Sequence, residues 1–243
     1  MKKKIIETLK SMEVYKDCLR KHNMDTVQGL YGVYRKRTGS LITTMKGEGD
    51  PEQLLDKVQP VLDAFEDNAE IVDFAAISLS RRNRIAIAFK LNKYSYDFKN
   101  DSHIGFGIVY ISSNDGFSRC TFVPVVFFED GFVPISRSKR KLITALQYIN
   151  KYHLKVIDSL HNNYYFKLHR DSLSRKLRLR VLFRTDIYED YLELATKRFF
   201  EHNSNLDIFQ YLSIRYKRWF NAPQLFLSKT NAIGGTLFGI KSK

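Results

Sequence analysis

Between residues 71 and 128 the chain alternates strand-like segments with turn signals, and no other stretch limits its fold so tightly. Residues 71–80 and 84–91 are apolar and joined by Arg81-Arg82-Asn83; in the second, Ile85, Ile87 and Phe89 alternate with Ala86, Ala88 and Lys90. Residues 104–112 and 120–128 follow, separated by Ser113-Asn114-Asp115-Gly116, whose Asp-Gly step is a strong hairpin signal. Four strands in sequence, joined by short turns, predict an antiparallel meander with helices before and after it covering one face.

The flanking segments fit that frame. Residues 2–21 read as a helix, with Ile5, Leu9, Met12 and Leu19 near one face. Residues 29–45 read as a hairpin turning at Arg37-Thr38-Gly39-Ser40. Asp50 as N-cap and Pro51 at the first helical position predict a helix that turns Leu54, Leu55, Val58, Val61, Leu62 and Phe65 inward, with Pro60 kinking or splitting it. From Ser136 the period becomes helical: Leu142, Leu146, Ile149, Val156 and Leu160, with Ala145 and Tyr152 alongside, mark a helix of about 24 residues. Residues 163–169 and 176–184 read as paired strands. Asp186 with Glu189 opens another helix, and a last one turns Phe209, Leu212, Tyr216 and Phe220 inward, before a small hairpin at Gly234-Gly235.

The expectation is an α+β fold: an antiparallel sheet built as a meander of hairpins, helices packed on one face, and a helical, strongly basic C-terminal half. No linker-like segment divides the chain, so residues 1–243 read as one domain. The alternative is a loose boundary near residue 133. It would leave 1–133 mainly sheet with two helices, and 134–243 basic and helical with a β-hairpin. Hydrophobic residues are 44% and charged residues 27%, which excludes a disordered, collagen-like or disulfide-stapled chain. Only Cys18 and Cys120 are present, which suits a reducing compartment. Apolar runs such as residues 122–128 are far short of the roughly 20 residues a membrane helix needs. Glu7, Lys10 and Glu13 interrupt the signal-like start Met-Lys-Lys-Lys-Ile-Ile, so a cytoplasmic protein is expected.

Charge carries the functional reading. The chain is net +14, but residues 1–80 hold 12 basic and 13 acidic residues, whereas residues 134–184 hold 13 basic and two acidic, a local +11. So local an excess points to a polyanion-binding surface. Arg137, Lys139, Arg140 and Lys141 stand at the start of the long helix, where free N–H groups and the helix dipole already attract phosphate. Arg175 leads into the strand of residues 176–184, where Lys176, Arg178, Arg180 and Arg184 share one face and Leu177, Leu179, Val181 and Phe183 the other. Like charges on one strand face repel, and a polyanion relieves that. Tyr165 and Lys167 on the preceding strand can lie beside the arginine row. An aromatic ring in a basic face suits single-stranded nucleic acid, where stacking is worth about 1–3 kcal/mol per base. Arg215, Lys217 and Arg218 form a third cluster near the end of the last helix, beside Trp219.

Catalytic and metal signals are mostly negative. The tail from Gly234 to Ser242 misses the phosphate-loop spacing by one residue and has no helix after it. Gly32-Val33-Tyr34 followed by Thr38-Gly39-Ser40-Leu41-Ile42 is similar to the opening of GIY-YIG nucleases, but the second tripeptide is absent and a plain hairpin explains the same residues. Cys18 and His22 have i, i+4 spacing and could face one metal, yet no second Cys/His pair completes a structural zinc site. Asp158, His161, His169 and Asp171 lie close together in the basic region and could hold a divalent cation in a nuclease.

No cofactor and no metal site is predicted. The reading is a non-catalytic nucleic-acid-binding protein, with single-stranded DNA or RNA favoured and no membrane partner. The richness in Lys, Asn, Ile, Tyr and Phe suggests a phage or mobile-element origin. A metal-dependent nuclease-like enzyme, or a basic inhibitor docking an acidic protein, are the alternatives.

Overall fold

The meander predicted over residues 71–128 is present, and it is longer than predicted. The computed structural model describes residues 1–20, 26–47, 49–79, 82–98, 102–115, 120–129, 131–135, 141–161 and 220. A five-stranded antiparallel sheet runs in sequence order: β4 (Ala69–Leu79), β5 (Arg82–Phe98), β6 (Ser102–Ser113), β7 (Thr121–Phe128) and β8 (Gly131–Pro134). Ahead of it lies a three-stranded sheet, β1 (Val14–Arg20), β2 (Thr26–Arg35) and β3 (Leu41–Lys46), also antiparallel and in order. The helices are α1 (Lys2–Ser11), α2 (Leu54–Ala64) and α3 (Leu142–His161). The architecture is therefore mixed α+β. Among the described residues no helix is long and apolar enough to cross a membrane.

The strand register explains how the core is built. Ile85, Ile87 and Phe89 pair with Ser112, Tyr110 and Ile108 and face the helices. The Phe65 ring, just past α2, stacks on Phe89 at 4.6 Å, and the Tyr110 hydroxyl donates to the Lys57 carbonyl of α2 at 3.1 Å. Phe106, on the same face, meets His153 of α3 edge to face. All three helices thus lie on one side, as predicted; α1 contributes Ile5 and Leu9 to the core and sets Lys4 over the Phe74 ring.

The opposite sheet face is buried as well, which the prediction of one covered face did not include. Ala86, Ala88, Val109, Ile111, Val123 and Val125 are sealed there, with Phe127 against Phe132 and Phe132 edge-on to Phe220. The sequence carried the reason: strands apolar on both faces, instead of alternating apolar and polar, are strands covered on both sides. Gly107 lies on this face because a Cβ there would collide with the Phe89 carbonyl and come within 2.6 Å of the Phe127 ring.

Three local readings need correction. The predicted helix over residues 2–21 stops at Ser11, and Leu19 belongs to a strand. From Val14 onward, pairing with β2 outweighs the helical spacing, since Val14 faces Arg35 and Tyr15 faces Tyr34. The second helix begins at Leu54, not at Pro51: Gln53 takes the cap position, and its amide pairs with both the N–H and the carbonyl of Val14, at 3.0 and 2.9 Å. That helix also runs unbroken through the exposed Pro60, which forgoes only the bond to the Asp56 carbonyl. The remaining predicted elements, from residue 163 onward, lie outside the described residues, except that Phe220 is buried as expected.

Candidate functional site

Of the basic residues singled out from the sequence, Lys141 alone lies within the described residues. It is exposed, and its carbonyl receives the N–H of Ala145, so it sits at the mouth of α3. Arg137, Lys139, Arg140, Tyr165, Lys167, Arg175, Lys176, Arg178, Arg180, Arg184, Arg215, Lys217 and Arg218 fall outside. So do His169 and Asp171 of the acidic–histidine group, while Asp158 is exposed on α3. Cys18 lies on strand β1, not on a helix, and His22 falls outside the described residues; the thiols of Cys18 and Cys120 are in no disulfide. Among the described residues no three His, Cys, Asp or Glu side chains gather where a metal could bind.

What the described residues do bring together is a polar junction between the two sheets. Arg35 is 6% exposed at the end of β2. Its Nε donates to Ser78 Oγ at 2.9 Å, one terminal nitrogen to Ser40 Oγ at 2.7 Å, and the other to the Arg82 carbonyl at 2.8 Å. Burial pushes this guanidinium below its ordinary pKa, and no carboxylate among the described residues reaches it. One planar cation, donating to three neutral oxygens, ties β2 and the turn after it to the β4–β5 hairpin. Arg35→Ala removes those three bonds and is expected to cost about 2–3 kcal/mol, read by urea denaturation. Arg35→Lys will not restore it, because a single ammonium cannot reproduce the guanidinium fork.

Beside it lies a second polar group. Asn83 is fully buried; its Nδ2 donates to the Met12 carbonyl at 3.0 Å and to Asn114 Oδ1 at 2.7 Å. Arg84 Nε meets the fully buried Asp115 Oδ2 at 2.5 Å, and the Asn83 N–H also points at that oxygen. The sequence reading took Asn83, Asn114 and Asp115 for turn residues; Asn83 instead belongs to β5, and Asn83 and Asp115 are buried because register aligns Arg84 with Ser113 and carries the next two residues back over the sheet end. These contacts join the start of β5 to the residues after β6. A third group joins the exposed Cys120 thiol to Ser112 Oγ at 3.4 Å and to the Tyr110 hydroxyl at 3.6 Å. Burial, above all, drives the Tyr110 pKa well above the usual tyrosine value, so it acts as a neutral donor.

Sequence reasoning missed Arg35, Asn83 and Asp115 because, Ser40 apart, the partners named above lie 31 to 71 residues away, and no local pattern announces such pairs. No family model matches the chain, and no match is found among curated proteins or solved structures.

Proposed function

We propose that this is a non-catalytic nucleic-acid-binding protein that favours single-stranded DNA or RNA. The observation that carries the reading is the net +11 of residues 134–184 in a chain whose first 80 residues are nearly neutral. Fixed cations crowded into one stretch raise their own electrostatic cost, and a phosphate backbone offsets it. The exposed Lys141 at the start of α3 and the exposed Lys151 further along it support this reading from the described part of the chain. The period-2 arginine row of the sequence, with Tyr165 in the preceding strand-like segment, favours single strands, whose unstacked bases are free to meet aromatic rings.

Fluorescence anisotropy with single- and double-stranded oligonucleotides of equal length, at about 50 mM salt, tests this. Tighter binding of the single strand is the expected result. No association with any nucleic acid at that salt overturns the proposal, because non-specific phosphate binding is strongest where counterions are dilute.

A further inference from the structure

We infer that the outer face of the β1–β3 sheet is a base-stacking platform for single-stranded nucleic acid, an inference that rests on the nucleic-acid-binding reading above. Register places Tyr15 of β1 directly opposite Tyr34 of β2. Their rings stack at 5.6 Å between centroids and 27° between planes. The Tyr34 ring lies across Gly32, where any Cβ would collide with it. Glycine there lets one tyrosine lie flat on bare backbone and leaves its partner as the outer ring; Tyr15 is 40% exposed. The buried residues of this sheet, Val14, Val33, Ile42 and the half-buried Met45, form the small core on its other side.

Charge around the ring pair matches the phosphate chain. Lys36 and Arg37 stand in the turn beyond one end, and Lys46, opposite Leu30, at the other; all three are exposed. Lys36 is engaged by Glu13 at 2.9 Å, whereas Arg37 and Lys46 meet no carboxylate among the described residues. Leu30 is four residues from Tyr34, so the Lys46 end lies about 13 Å along the strand from the ring pair. Among the described residues the nearby carboxylates are engaged: Asp17 accepts the N–H of Cys18 at 2.7 Å, and Glu13 pairs with Lys36. A flat, solvent-facing aromatic pair between cations accepts a base by its π-face whatever its identity.

The test compares a labelled thymidine oligomer with an abasic oligomer of equal length, using the full chain and anisotropy. Tyr15→Thr removes the ring while keeping a strand-forming residue, and Tyr15→Phe keeps the ring. The wild-type chain is expected to prefer the thymidine strand over the abasic one. Tyr15→Thr should cut that preference about tenfold with the salt slope unchanged, since a stacked base releases no counterion. Tyr15→Phe should retain it. A Tyr15→Thr chain that binds both oligomers as the wild type does overturns the platform while leaving the nucleic-acid reading intact; so does an equal loss on both. A wild-type chain that binds neither oligomer at about 50 mM salt overturns both.

Discussion

Replacing Asp115 with alanine is expected to destabilise the protein by about 3–5 kcal/mol, because it leaves a buried charge without its partner. Asp115 is fully buried, and Arg84, 9% exposed, points its Nε at the carboxylate. The truncation also withdraws the acceptor nearest the Asn83 N–H. In a chain of this length such a loss lowers the melting temperature by roughly 10 °C. The paired change Arg84→Met with Asp115→Leu should recover most of it, since removing both charges removes the desolvation penalty as well as the attraction. Thermal melts of the three variants decide this. An Asp115→Ala melt within about 1 °C of the wild type would mean that Arg84 finds water or another acceptor.

The order of elements in the large sheet was legible because strand patterning is local. The alternation from Ile85 to Phe89 and the Asp115-Gly116 step needed no knowledge of distant residues. β1 was hidden because Leu19 falls at a helical interval from Met12, and only pairing with β2 shows that the chain has left the helix. The far end of β5 escaped notice because Asn92, Lys93, Ser95 and Asp97 make it read as loop, although register carries Tyr96 beside Ile104. The covering of the second sheet face was written in Ala86 and Ala88 but required asking what apolar residues on both sides of a strand imply. The polar junction could not be read at all, since Arg35 and Ser78 are 43 residues apart. The platform was half legible. Gly32 and Tyr34 stood out as a motif fragment, but Tyr15 was placed on a helix, where it could not face Tyr34.

Arg178→Glu with Arg180→Glu is expected to weaken nucleic-acid binding by about a hundredfold or more while leaving the fold intact. Both side chains fall opposite Leu177, Leu179 and Val181 in the period-2 pattern. That pattern predicts both to be solvent-facing, and surface positions usually change stability by less than about 0.5 kcal/mol. Each reversal removes a phosphate contact and adds a repulsion, so the loss in affinity exceeds that of neutralising the same residues. Leu179→Glu should behave in the opposite way, lowering the melting temperature sharply before any binding defect can be measured. A tolerated Leu179→Glu beside an unfolded double variant would show that the two faces of this segment are reversed.

The dependence of affinity on salt, measured for the wild-type chain and for this double variant on one single-stranded oligonucleotide, tests the central claim most directly. The expected result is a steep fall in affinity with salt for the wild-type chain, and a slope flatter by about 1.4 for the variant, roughly 0.7 for each lost phosphate contact. A flat wild-type slope, or the same affinity and slope for both chains, would contradict it.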